Sequence, residues 1–191
     1  MPFDNLEFRR IEDEEYNNFD NIHQGIDYGF AGDPFAFVRW HFDKKKRTIY
    51  AMDEIYDVKL SNRKASEGIK SKGYEDKEIL ADSAEPKSID EMKLEHGIKH
   101  IKGAKEGPDS VEYGEEWLDD LDAIVIDPKR TPNNIARKFE NIDYQTDKDG
   151  NVRSKLEDAD NYTIDATRYA FSNDMEKRGK LRSRSKTSFG F

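Results

Sequence analysis

Residues 21–57 read NIHQGIDYGFAGDPFAFVRWHFDKKKRTIYAMDEIYD. Three runs rich in aromatic, β-branched and other apolar residues, Asn21–Phe30, Pro34–Phe42 and Arg47–Asp57, are separated by the turn signals AGDP and DKKK. That is the spacing of consecutive hairpin-linked strands, and the stretch predicts three antiparallel strands. Inside the first run, Asp27 interrupts residues that otherwise ask to be buried. A carboxylate in such a place is costly unless it is paired or holds a cation.

Working outward, the pattern switches from period two to alternating helix and strand. A polar helix is expected over 61–72, a short strand over 78–82, a helix after Pro86 and a strand near 98–101. A helix over 109–121 follows Pro108, and the run DAIVIDP reads as a buried strand stopped by Pro128. A further helix over about 131–141 leads into YQTDKDGNVRSK, whose Asp149-Gly150 pair marks a hairpin, and a closing helix spans 158–175. The order βββαβαβαβα implies an α/β fold: a mixed sheet, three antiparallel strands then parallel ones, with helices on both faces.

The ends read differently. Residues 1–20 carry seven acids against Arg9 and Arg10 and show no trusted period, so they are expected to be an acidic linker or peripheral segment. Residues 176–191 set six Lys and Arg against Glu176 and read as a basic, mobile tail. The 155 or so residues between, 21–175, suffice for one compact domain.

Of 191 residues 38% are charged and 35% hydrophobic, with net charge −9. This balance argues against a protein that coats nucleic acid by bulk attraction, though not against an enzyme that acts on it. No apolar run is long enough to cross a membrane, and MPFDNLEFRR lacks the apolar core of a secretory leader. With no cysteine and four scattered histidines, zinc fingers, disulfides and thiol nucleophiles are excluded. A metal here is held mainly by carboxylates.

Three aspartates are placed where such chemistry needs them. Asp27 lies in the first strand, Asp82 ends the strand EILAD at the sheet edge where open α/β sheets build sites, and Asp165 lies in the closing helix. Singly, each has a plainer reading: Asp27 or Asp82 as a turn or cap acceptor, Asp165 as the partner of Arg168 one turn on. Together, in a chain without cysteine, they suit Mg²⁺ or Mn²⁺. Two such ions about 4 Å apart activate a water and stabilise the leaving oxygen of a phosphodiester.

The segments GIDYGFAGDPFAFVRW, IYAMDEIYD, ILADSAEPKSIDEMK, IVIDP and DKDGNVRSKLEDADNYTIDATRYAF, in this order, resemble the C-terminal nuclease domain of tailed-phage large terminase subunits, which has a ribonuclease H-like fold. The likeness covers about residues 21–172 and is most specific in ADSAEPKSI and the closing D-N-x-x-I-D-A-x-R-Y. It implies a metal-dependent endonuclease that cuts concatemeric double-stranded viral DNA during packaging, with Asp27, Asp82 and Asp165 as its catalytic metal ligands and two divalent ions as cofactors. It also implies an ATPase domain in the same full-length chain, small-subunit and portal partners, and work at the procapsid in the host cytoplasm. The chain has no P-loop, consistent with an excised domain whose first 20 residues are the remnant of the connection. One departure is Tyr162, where many relatives carry histidine three residues before the last aspartate; Tyr is a poor ligand.

Other residues are weighed lower. Glu54 on the third strand is a candidate fourth acid but is expected at the surface or in a salt bridge; Lys87 is an exposed helix residue or a phosphate contact; 44–47 is a solvated hairpin tip, with DNA contact as its lesser reading. Lys99, Lys102 and Lys105 are candidate phosphate contacts, and the Gly150 hairpin is expected to border the DNA entrance. The competing readings are a Holliday-junction resolvase or transposase of the same fold, and a non-catalytic module docking on the portal or capsid.

Overall fold

A computed structural model describes residues 2–29, 32–131, 133–156 and 161–175. The expected meander is present as β2 (Ile22–Asp27), β3 (Pro34–Asp43) and β4 (Thr48–Val58), paired antiparallel, with the β3–β4 register shifting between Arg39 and Trp40. Alternation assigns their faces. On β3, Ala36, Val38, Trp40 and Phe42 join one core cluster, while Phe35 and Phe37 join another.

The alternating half follows as α2 (Asn62–Ser71), β5 (Ile79–Ala81), α3 (Pro86–Leu94), β6 (Ile101–Gly103), α4 (Ser110–Asp119), β7 (Ala123–Ile126) and α5 (Asn133–Asn141). Local chemistry sets several of these boundaries. Ser61 caps α2 by accepting from the Lys64 amide, and Pro86 opens α3 at a position where its missing N–H costs nothing. β6 begins later than expected because Gly97, at φ +77°, ends the turn after α3 and the Ile98 amide returns to the Met92 carbonyl.

Of residues 1–20, read from sequence as an acidic linker or peripheral segment, residues 2–20 are built into the fold. β1 (Leu6–Phe8) pairs parallel with β7 at the sheet edge, and α1 (Asp13–Asn17) follows. Phe3 and Ile11 are buried beside it. The seven-stranded order is β1-β7-β4-β3-β2-β5-β6. β5 is parallel to β2, β6 to β5, and β7 to β4, so β2, β4, β5, β6 and β7 all end at one edge.

Helices α4, α5 and α6 (Tyr162–Ala170) cover one face, α2 and α3 the other. The closing helix expected over 158–175 is α6, followed by a helical turn to Met175; residues 157–160 lie outside the described residues, as does the expected basic tail, 176–191. β8 (Tyr144–Thr146) and β9 (Val152–Leu156) form the expected hairpin as a separate two-stranded sheet, with Gly150 at φ +82° in its turn.

Two features seat α6 on the sheet. A Cβ on Gly25 of β2 would lie 1.9 Å from the Ala166 carbonyl oxygen, so only glycine lets the helix lie this close. The buried Trp40 indole N–H donates to Thr167 Oγ1 at 3.1 Å, fixing the helix against β3.

Candidate metal centre

Asp27 is two residues beyond Gly25, and alternation puts its side chain on the same face, under α6. Asp82 directly follows β5, its amide donating to the Ile26 carbonyl at 3.0 Å. Asp165 sits beside Ala166 in the turn of α6 that Gly25 admits. The sheet edge and one helix thus gather the three sequence-predicted aspartates.

Their environments differ. Asp27 is 7% exposed and accepts no hydrogen bond from the described residues. Burial, then the charges of Asp165 and Asp82 and a smaller push from Glu106, raise its pKa to about 8 against a partial pull from Arg168. Asp82 Oδ1 accepts from the Ala84 amide at 2.9 Å, so its turn-acceptor reading holds alongside its place at the edge. Asp165 Oδ1 accepts from Arg168 Nε at 3.0 Å and Nη2 at 2.9 Å, as the spacing predicted. Arg168 is 4% exposed and packs on Gly114 of α4, where a Cβ would lie 2.8 Å from its Cδ.

Asp127, ending β7 at the same edge, shows what a purely structural aspartate looks like. It is buried, yet amides of Ile11, Lys129 and Arg130 outweigh burial and hold its carboxyl below the usual range. Among the described residues, no amide donates to Asp27 in this way. A cation among oxygen donors would take the amides' place, and an all-carboxylate set suits Mg²⁺ or Mn²⁺.

The three aspartates do not close on one another as tightly as Glu91, Glu95 and His96 do. Those ligand atoms lie within 4.8 Å of each other at the far end of α3 from Asp82, but Glu91 is already engaged by Asn62 and His96.

Two residues near the centre correct or extend the reading. Glu54, expected at the surface or in a salt bridge, is 5% exposed and accepts from the amides of Asn134 and Ile135 at 2.9 and 3.0 Å, capping α5. Glu106, not foreseen, follows β6 by three residues; it accepts from Ser83 Oγ at 2.9 Å, and its charge reaches Asp27 and Arg168. A strand-end loop acid carries no local signature beyond its position.

Tyr162 hydrogen-bonds Asp33, and burial first, then that bond, push its phenol up, so it stays a protonated donor. Lys87 is exposed in the first turn of α3. Lys102 pairs with Glu78 at 2.9 Å, and Lys105 lines a cavity beside Arg168. The tip at 44–47 is largely exposed, with Arg47 held to Asp120.

The family profile described as the terminase RNAse H-like domain matches residues 27–173. The chain belongs to this family. It is 61% identical over 181 residues to the terminase large subunit of Bacillus phage SPP1, covering 94% of this chain and 43% of that protein. A more distant relative, the PBSX phage terminase large subunit of Bacillus subtilis, is 27% identical over 164 residues, covering 84% of this chain and 37% of that protein. The chain therefore spans less than half the length of either relative. The crystal structure of the g2p (large terminase) nuclease domain from bacteriophage SPP1 with bound Mn superposes with TM-score 0.87 at 61% identity, covering 91% of this chain and 98% of that one. The resemblance drawn from the ordered motifs and the mixed α/β fold are both borne out. Among the described residues, no helix is long and apolar enough to cross a membrane.

Proposed function

We propose that the chain is the nuclease domain of a phage large terminase, an endonuclease that hydrolyses phosphodiester bonds of concatemeric double-stranded DNA during genome packaging. The observation that carries this reading is Asp27: a buried carboxylate without a hydrogen-bond donor among the described residues, set under α6 beside Asp165 and next to the strand that Asp82 follows. Similarity to the SPP1 nuclease domain, solved with Mn, supports it.

Asp27, Asp82 and Asp165 are the residues that would hold two divalent cations. Bound there, such ions supply a Lewis acid and a water of lowered pKa for in-line attack. Arg168 orients Asp165 through two N–H donors and balances part of the acidic charge that would otherwise repel DNA. Tyr169, its phenol pushed up by burial and by the three aspartates, stays protonated there as a hydrogen-bond donor.

In this reading an ATPase domain belongs to the same full-length chain. The small subunit and the portal bring the domain to DNA at the procapsid in the host cytoplasm, so an acidic domain needs little affinity of its own.

The test is incubation of supercoiled plasmid with the protein in Mn²⁺, Mg²⁺ or EDTA, beside Asp27→Ala and Asp165→Ala. Nicking that needs the metal and is lost in both variants is the expected result. Equal activity in all three proteins, or none in any, rejects it.

A further inference from the structure

Helix α4, SVEYGEEWLD, carries a buried glycine, Gly114, in its middle. Glycine is the poorest helix former after proline, so its presence there asks for a reason. Left-handed backbone is not that reason, because among the described glycines only Gly73, Gly97 and Gly150 have positive φ.

The reason lies on α6. A Cβ at position 114 would fall 2.8 Å from Cδ, 3.1 Å from Cγ and 3.5 Å from Cβ of Arg168, so the stem of that side chain fills the space a larger residue would claim. The guanidinium at its end spans two elements. Nη1 donates to the Ser110 carbonyl of α4 at 3.4 Å, while Nε and Nη2 both donate to Asp165 Oδ1. One helix therefore holds the stem and one arm of the fork, and the remaining donors turn the Asp165 carboxylate.

We propose that Gly114 is a positioning residue of the candidate metal centre: it lets α4 seat Arg168, and Arg168 in turn sets the direction in which Asp165 presents its carboxylate. The inference rests on the metal-binding reading above. Groups that orient a ligand govern cation affinity alongside the ligands themselves. Changing Gly114 leaves the Arg168 charge beside the centre, so a loss of affinity in Gly114→Ala comes from orientation. Truncating Arg168 would mix two opposed effects, since removing a positive charge favours a cation while releasing Asp165 disfavours it. Glu106, whose charge also acts on Arg168, offers a displaced guanidinium another carboxylate to meet.

The experiment takes two readings of Gly114→Ala. In EDTA, the Arg168 Nε–H resonance, assigned by its absence from Arg168→Lys, exchanges slowly with solvent in the wild type and severalfold faster in the variant. With Mn²⁺ added, the free-ion signal in electron paramagnetic resonance gives an affinity about tenfold weaker, the low end for partners that orient a ligand. Arg168→Lys keeps the charge and loses the fork; it weakens Mn²⁺ binding by a similar factor, and adding Gly114→Ala to it weakens binding no further. Gly68→Ala, in the middle of α2 with no neighbour closer than 3.4 Å to the added Cβ, is the control and matches the wild type in both readings. Unchanged exchange or unchanged affinity in Gly114→Ala, or full additivity in the double variant, overturns the positioning role. If Gly114→Ala does not fold, Arg168→Lys carries the test: wild-type affinity there leaves Gly114 nothing to act through and overturns the proposal. Failure of the wild type to bind Mn²⁺ overturns the metal-binding reading instead, and the exchange comparison still decides whether Gly114 seats Arg168.

Discussion

Gly25 and Ala166 are in backbone contact: the Cβ that any other residue would place on Gly25 falls 1.9 Å from the Ala166 carbonyl oxygen and 2.8 Å from the Ala170 amide nitrogen. No side chain can swing away to relieve this, because the obstacle is helix backbone. Gly25→Ala is expected to cost about 3 kcal/mol or more, at or beyond the upper end for overpacked cores, and to displace Asp165 from Asp27. Urea denaturation and plasmid nicking measure both. Gly32→Ala, with nothing within 4 Å of the added Cβ, is the control and should be nearly silent.

Asp27 gives a pH signature. Its folded pKa of about 8 stands above its ordinary 3.8, so its contribution to stability is full below about 3.8 and is lost as pH rises through 8. The metal-free protein should therefore lose stability across that window, and Asp27→Asn should be the more stable protein at pH 8. Mn²⁺ should raise the wild-type Tm by several degrees at pH 8, less at pH 6 where the carboxyl keeps its proton. Most of that increment should vanish in Asp27→Asn. A thermal-melt series with and without EDTA reads all of these, and an undiminished increment in the variant contradicts the assignment.

Glu54 titrates through a second window. Burial first, against amide bonds from α5, raises its pKa from 4.5 to about 7, so its contribution is full below 4.5 and lost as pH passes 7. Glu54→Gln keeps one acceptor for α5 and removes the ionisation. It should flatten the stability curve between pH 5 and 7, at a cost of about 1 kcal/mol in capping at pH 5. Chemical denaturation at several pH values checks this, and an unchanged slope would assign the titration elsewhere.

The β8–β9 hairpin is a separate sheet, so removing residues 146–152 should leave the main sheet folded. If the hairpin borders the DNA entrance, the deletion alters plasmid cutting by severalfold while circular dichroism and Tm stay close to wild type. Unchanged cutting removes it from the substrate path.

The meander was legible because Phe35, Phe37 and Val38, Trp40 alternate between two buried faces, and Asp27 was legible because it breaks such a run. β1 was not. Only Leu6–Phe8 are extended, acids surround them, and their partner β7 lies more than a hundred residues away. Glu54 was misjudged for a similar reason: the amides that justify burying it belong to Asn134 and Ile135, and nothing near position 54 announces them. Asp127 and Asp27 look alike as strand-end acids in sequence, and only the tertiary donors around Asp127 separate a structural carboxylate from one left uncompensated.

The bond from Trp40 to Thr167 has an optical consequence. The chain has two tryptophans, and the other, Trp117, stacks on Phe171 just past the end of the same helix. Both fluorophores therefore watch a single docking event. Any variant, cation or pH that loosens the helix bearing Asp165 should redden the intrinsic emission, so assembly of the acidic centre can be followed in unlabelled protein before any DNA is cut.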